Sequence, residues 1–587
     1  MPPYLLQCNK LERKTEGVES ELDNFIKFDE ICSVYYGTSQ TLHIPQSKKS
    51  MLNRMHLGQI VFICALLSAC GGAERAGQVN LVGQVNLAAA QPSVTTFYAA
   101  SRLLEQAAMG PSPTSVAQVR KVGIEAWIEA QQKLAPSVIT TPANLIEYDL
   151  NQDKVTNDLA NRTYQFNLQN IFIASEDQLR VRTSWVLSNF LVVSTQKIQP
   201  YGGAEYLNTL QRNAFSNYSD LLRAVTLSPA MGFFLDNGQN NKWNLNENYG
   251  RELMQLFSVG LVQLNMDGSI KRDANGKALE TYTQADVIAS TKALTGWHYV
   301  TPNCGSTIMN CSNGFNYGKP MVAHQDAHNT EAKQLFGKTI AAGQSAEKDL
   351  DSLIDILVTH PNTAPFVALR LIQGFTSSDP SPAYISRVAT VFQNTKGDLK
   401  AVVKAVLMDP EARAGDVPGK SPAGFGRIKD PHLVNTSLLR ALECAKAGTL
   451  TNIFNAWTQS PLNAKSVFNF YPPNHRAPSS KLLAPEQQML TSEEFNMRLG
   501  HVSGAFWAPQ VVVFMEAGCN LDLFKTAASA SDGEVLNLIS QRFFRGAMPA
   551  ATGQALVQSA NETNNPLVRA GQMIDMALIT PAFGVSK

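Results

Sequence analysis

From residue 97 onward, apolar side chains recur at a helical period along nearly the whole chain. Tyr98, Leu103, Leu104 and Ala107 share one face of a segment over 97–108, which Gly110-Pro111 stops. Val116, Val119, Ile124, Trp127 and Ile128 continue the pattern over 115–134, with Gly123 as its weak point. The same spacing predicts helices over 179–194, 218–227, 244–259, 283–295, 349–359 and 362–375. Later helices are expected over 384–393, 399–408, 432–446 and 532–545. One stretch reads differently. In 261–282, Leu261-Val262-Gln263-Leu264 and the turn dipeptides Asp267-Gly268 and Asn275-Gly276 predict a small β-hairpin. The fold class expected is therefore all-α, a mainly helical globule with that hairpin insertion and long irregular loops, notably 295–336 and 415–426.

Upstream of residue 93 the pattern is of another kind. Arg54 precedes an apolar stretch from Leu57 to Ala69, and Leu67-Ser68-Ala69-Cys70 closes it on small residues and a cysteine. An apolar core of about 13 residues is short for a membrane span, and the layout is that of a signal peptide over 51–69. Its end resembles a bacterial lipobox, in which Cys70 is acylated and becomes the first mature residue. Residues 70–92 follow as a tether, with Gly77-Gln78-Val79-Asn80-Leu81 echoed in Gly83-Gln84-Val85-Asn86-Leu87. Such a composition buries little apolar surface. Residues 1–50 are too polar for a leader and read as an upstream extension from a misplaced start, with Met51 or Met55 as the biological one. The expected location is the bacterial cell envelope, lipid-anchored at the outer membrane through Cys70.

Removing residues 1–69 from the 587 leaves 518, ample for a helical domain over 93–587. A net charge of +1 gives no basic bias, so nucleic acid is not an expected partner. Of the cysteines left in the mature chain, Cys304 and Cys311 are close enough in a polar loop to form a small disulfide, which export permits. Cys444 and Cys519 are left as either a second pair or free core cysteines.

The sharpest block is Asn246-Glu247-Asn248-Tyr249-Gly250-Arg251-Glu252-Leu253-Met254-Gln255-Leu256-Phe257-Ser258-Val259-Gly260. Asn244 with Glu247 reads as a capping box, and Gly260 as the residue that ends the helix. Tyr249, Leu253, Leu256 and Phe257 share a face, while Glu247 and Arg251 stand four apart on the other as an ion pair. This block resembles the signature of a bacterial family known only as domain of unknown function 1800. The likeness continues through Met109-Gly110-Pro111-Ser112-Pro113, Tyr282-Thr283-Gln284-Ala285-Asp286-Val287 and Ala293-Leu294-Thr295-Gly296-Trp297. It extends to His328 with Lys333 and Phe336-Gly337, then to His360-Pro361-Asn362-Thr363-Ala364-Pro365-Phe366-Val367-Ala368. Phe425-Gly426-Arg427-Ile428-Lys429-Asp430-Pro431 and Ser466-Val467-Phe468-Asn469-Phe470-Tyr471-Pro472-Pro473 complete it. The resemblance implies an exported, mostly helical protein and a secreted, sulfatase-like protein as partner; it implies no reaction. One departure stands out, since Asn329 follows His328 where the family pattern calls for Asp.

Two sets of residues offer chemistry. His324, Asp326 and His328 alternate along an extended loop, a spacing that lets imidazole and carboxylate converge on one metal ion, with Glu247 or Glu252 as a further oxygen ligand. As a hydrolase, the chain would gather Glu247, Arg251, Glu252, His324, His328 and Lys333 around the long loop as catalytic groups. The competing reading pairs these groups among themselves for structure. A calcium loop begun by Asp149, Asn151 and Asp153 fails at Lys154 and Ala160, where Gly and Glu are needed. With no G-x-S-x-G, H-E-x-x-H, phosphate loop or dinucleotide fingerprint, the sequence names no cofactor. The leading expectation is a binding or assembly protein, with the hydrolase as the alternative.

Overall fold

Helix ends in this protein are set by short-range chemistry. Thr96 caps α1 (Phe97–Ala107) by accepting from Ala99 N at 3.1 Å, and Ser112 and Ser115 form a capping box on α2 (Pro113–Val122). Gly123, at φ +88°, divides the segment expected over 115–134 into α2 and α3 (Ile124–Gln131). A positive φ cannot continue a right-handed helix, and glycine adopts it without steric penalty. The computed structural model describes residues 94–140, 166–300, 317–447, 459–493, 516–560 and 563–587. The upstream extension, the leader, Cys70 with its tether, the Asp149 loop, and Cys304 with Cys311 lie outside the described residues. No described helix is long and apolar enough to cross a membrane.

The helices follow as α4 (Gln178–Ser188), α5 (Pro200–Asn213), α6 (Tyr218–Thr226), α7 (Pro229–Phe234), α8 (Glu247–Gln255) and α9 (Gln284–Ala293). Then come α10 (Ala346–Val358), α11 (Thr363–Phe375), α12 (Pro382–Asn394), α13 (Leu399–Met408), α14 (Pro410–Ala414) and α15 (Pro431–Ala441). The C-terminal set is α16 (Asp522–Ala530), α17 (Asp532–Phe543), α18 (Ala550–Ser559), α19 (Pro566–Leu578) and α20 (Pro581–Gly584). The mainly helical class expected from the sequence is the class observed. The expected hairpin over 261–282 is three short segments joined by tight turns at Gly268 and Gly276, linked by single antiparallel bridges such as Val262 with Glu280 and Arg272 with Ala278. Three two-stranded pairs escaped the sequence reading: β1 (Trp297–His298) with β2 (Val322–Ala323), β3 (Lys333–Leu335) with β4 (Lys338–Ile340), and β5 (Arg427–Ile428) with β6 (Val585–Ser586). Strands of two or three residues are too short to show a period.

Among the described residues two apolar clusters form. The larger runs from α1 to the start of α15 and includes Trp127, Trp185, Tyr249 and Phe375; the smaller holds Phe524, Ile539, Phe543 and Ile574 of the C-terminal helices. All of α15 is buried, with Leu433 in the first cluster and Val434, Leu438 and Leu439 in the second. The α1–α2 turn leans on it: Gly110 has φ +127°, and a Cβ there would lie 2.6 Å from Ser437 Cα. Arg440 of α15 donates back to Gly110 O at 2.7 Å. The Cys444–Cys519 pair, left open by the sequence, is a disulfide.

Every residue of α4 is buried, Arg180 and Arg182 included. Their donors meet carbonyls at the ends of neighbouring helices. Arg182 Nη2 donates to Gly374 O of α11 at 2.9 Å and Nε to Gln106 O of α1 at 3.2 Å; Arg180 Nη1 donates to Gln211 O of α5 at 3.0 Å. The last carbonyls of a helix lack intrahelical partners and carry partial negative charge, so buried guanidinium groups satisfy them. Burial still lowers Arg182 to about 9, with nearby Arg427 adding to the effect.

Candidate functional site

The residues expected to carry chemistry are distributed over separate places. On α8, Asn246 caps the helix in place of the expected Asn244, accepting from Asn248 N at 3.1 Å, while Asn244 bridges to Asn241. Gly260 (φ +73°) does lie beyond the helix end, its N–H reaching Met254 O at 3.0 Å. Glu247 and Arg251 form the anticipated pair at 2.8 Å, and Gln284 of α9 donates to both Glu247 oxygens. Both charged side chains are more than a third exposed, which places the pair in the regime where ion pairs contribute little. Glu247→Gln is expected to shift folding stability by less than about 1 kcal/mol in urea titration. Glu252 faces inward instead. Its Oε2 is buried with no hydrogen-bond partner among the described residues, and desolvation raises its carboxyl above the ordinary range, only partly offset by Arg251.

His328 and Lys333 belong to a different group, fully inside the fold. His328 Nδ1 lies 2.9 Å from Thr295 O, and Nε2 lies 3.1 Å from Asp349 Oδ2. Lys333 Nζ is 2.5 Å from the same carboxylate oxygen and donates to Asn329 O. With both ring nitrogens engaged by the fold, His328 is not placed as a free ligand. Asp349, in the first turn of α10, is the carboxylate the sequence reading missed. The departure at Asn329 has a local account: its Oδ1 accepts from Glu331 N at 3.1 Å while its backbone carbonyl serves Lys333. Gly296 makes this packing possible, having φ +86° and His324 O only 2.8 Å from where a Cβ would stand. His324 and Asp326 remain half-buried at a single turn over Gln325–Ala327, with the His298 ring 6.0 Å from that of His324. Among the described residues no group of three or more His, Cys, Asp or Glu side chains is placed to hold a metal ion.

A third place was not foreseen. A cavity of about 70 Å³ lies where Val186 of α4 and Phe190, Leu256 beyond α8, and Phe366, Arg370 and Gln373 of α11 face the 466–473 turn. Phe468, 42 % exposed, stands at its rim, and Tyr471, Pro473 and Glu486 close it. The turn is pinned by polar contacts: Gln373 Nε2 donates to Pro473 O at 3.3 Å, and Asn469, at φ +62°, donates to Asn189 Oδ1 at 2.7 Å. Behind the wall lies a buried charge cluster. Arg427 approaches Glu486 Oε1 at 3.1 Å and Asp430 Oδ2 at 3.4 Å, and its Nη1 joins Arg182 on Gly374 O. Ser378 donates to the other Glu486 oxygen at 2.8 Å. Those carboxylates outweigh desolvation and hold Arg427 above its ordinary value, whereas Arg370, with no acidic partner among the described residues, is lowered by burial to about 10.

A family model described as a protein of unknown function, DUF1800, matches residues 102–585. The chain belongs to the DUF1800 family. No curated protein and no solved structure matches it. In this DUF1800 chain, four of the blocks that carry the resemblance meet at the cavity: Leu256, Phe366, Arg427, and Val467 with Phe468, Tyr471 and Pro473 each come from a different one. Arg427 was legible as part of its block, though its role was not. Arg370 carries a signal in hindsight, since it stands one helical turn after Phe366, and its guanidinium lies 5.0 Å from that ring. Nothing in the sequence marks Glu486, which sits in a one-turn segment among prolines.

Proposed function

We propose that this DUF1800 member is an exported, lipid-anchored protein of the bacterial cell envelope that works by binding, as the assembly partner of a secreted, sulfatase-like protein. The observation that carries the binding reading is the separation of the expected reactive groups. A hydrolase needs its acid, base and electrophile within reach of one open site. Here Glu247 pairs with Arg251 on the surface, His328 and Lys333 are tied to Asp349 in the interior, and the cavity is lined by neither set. The lipobox-like Leu67-Ser68-Ala69-Cys70 and the Cys444–Cys519 disulfide both support export, because such bonds persist in oxidising compartments.

The test uses the full chain in a bacterial host with an outer membrane. Labelled fatty acid is expected to enter the wild type and not Cys70→Ala, and detergent extraction is expected to yield a stoichiometric partner with a sulfatase-like sequence. A protein recovered unlipidated from the cytosol would overturn the location. Extraction of a lipidated protein without such a partner would overturn the assembly role.

A further inference from the structure

We propose that the cavity between α4, α11 and the 466–473 turn is a binding site for a carboxylate carrying a short branched aliphatic group, with Arg370 as its anion-reading residue. The two arginines that line this cavity differ in kind. Arg427 is committed to Glu486, Asp430 and Gly374 O, so its donors are occupied by the protein itself. Arg370 has no carboxylate partner among the described residues. Its Nη1 donates to Gln373 Oε1 at 2.9 Å and its guanidinium carbon lies 5.0 Å from the centre of the Phe366 ring, which holds the fork from two sides; Nε and Nη2 have no partner among the described residues and are left for a ligand. A planar fork with two free donors matches a carboxylate in bidentate geometry.

The rest of the cavity specifies the other half of the ligand. Val186, Phe190, Leu256, Val467, Pro473 and Pro485 present apolar atoms, which favour an alkyl group and disfavour a fully hydrated anion such as phosphate. A space of about 70 Å³ is roughly half the size of a cavity that admits benzene, which limits the apolar part of the ligand to a short alkyl group. Burial has already lowered the Arg370 guanidinium to about 10, and an incoming anion supplies the countercharge that reverses this. Gln373 acts as a positioning residue, since one amide holds both the Arg370 fork and the Pro473 carbonyl of the opposite wall. This chemistry is shared by a free short-chain acid and by the C-terminal residue of a polypeptide ending in leucine or valine. The site stands independently of the lipid anchor and of the sulfatase-like partner, so failure of either leaves it in place.

Calorimetric titration of the full chain tests it with 4-methylpentanoate against 4-methylpentanamide, and with acetyl-Ala-Ala-Leu as free acid against its amide. The acid of at least one pair is expected to bind about tenfold or more tighter than its amide, the scale of one charge-assisted hydrogen-bond pair. In Arg370→Met, which keeps the stem against Phe366, that preference is expected to fall below about twofold. Arg370→Lys, which keeps the charge without the fork, is expected to fall between the two and serves if the Met variant does not fold. A free acid that binds without the peptide assigns a small-molecule ligand, and a peptide acid that binds tighter assigns a chain terminus; both support the site. Equal binding of acid and amide, no heat from either pair at millimolar concentration, or full preference retained in both variants would overturn it.

Discussion

Asp349→Ala is expected to destabilise the fold by about 3–5 kcal/mol, the range seen when one member of a buried ion pair is removed. The reason is that a single carboxylate oxygen serves two buried groups, Lys333 Nζ at 2.5 Å and His328 Nε2 at 3.1 Å. All three side chains are shielded from water, so the lysine left behind has no solvent to take over the lost interaction. The position at the start of α10 adds to the effect, because a carboxylate there also faces the positive end of the helix. Urea titration followed by circular dichroism measures the loss. The double variant Asp349→Asn with Lys333→Met is expected to recover more than half of it, since neutral residues of similar shape remove the stranded charge. A midpoint shift smaller than that of Glu247→Gln would show that the group is not buried as described.

Reduction of Cys444–Cys519 is the second large effect, expected to lower stability by about 3–4 kcal/mol. On the chain-entropy model, closing a loop of 75-residue separation corresponds to about 4.5 kcal/mol, and bridges commonly deliver about 2–4 of it. The bond does not act alone. Ala445 N and Lys446 N both donate to Ala517 O, at 3.0 and 3.1 Å, and Asn520 N donates to Leu442 O at 2.8 Å, so the end of α15 is stitched to the approach to α16. The chain enclosed by the bridge contains Phe468, Tyr471 and Glu486, one whole wall of the cavity. Cys444→Ser with Cys519→Ser is therefore expected to weaken the cavity's ligand as well as the fold. Thermal melts with and without reductant, beside a thiol count on the untreated protein, check this. Two free thiols before reduction would contradict the bond.

The helical content was legible because many helices bury one stripe and expose the other, as α6 and α12 do. α5 was missed because Gly202-Gly203 blunts its propensity; the structure uses Gly202 to admit the Tyr317 ring, which would lie 2.5 Å from a Cβ there. α4 was found, but its purpose was hidden. A helix with arginines on two faces reads as half-exposed, and only its neighbours show that those arginines close the ends of α1, α5 and α11. The candidate site was harder for the same reason. His328 and Lys333 stand out in the sequence, yet their shared partner Asp349 is contributed by a later helix, and no local pattern links them.

By itself the sequence determined the family, the helical class and the place of many of the helices, because these depend on residues near one another along the chain. Periodicity, caps and turn glycines act over a few residues. Only the tertiary structure decided which polar groups are partners, that Cys444 and Cys519 are joined, and that blocks separated by more than a hundred residues enclose a cavity beside Arg370. Burial and charge pairing are properties of assembled neighbours. A residue's own position in the chain carries no record of whether the water around it will be removed.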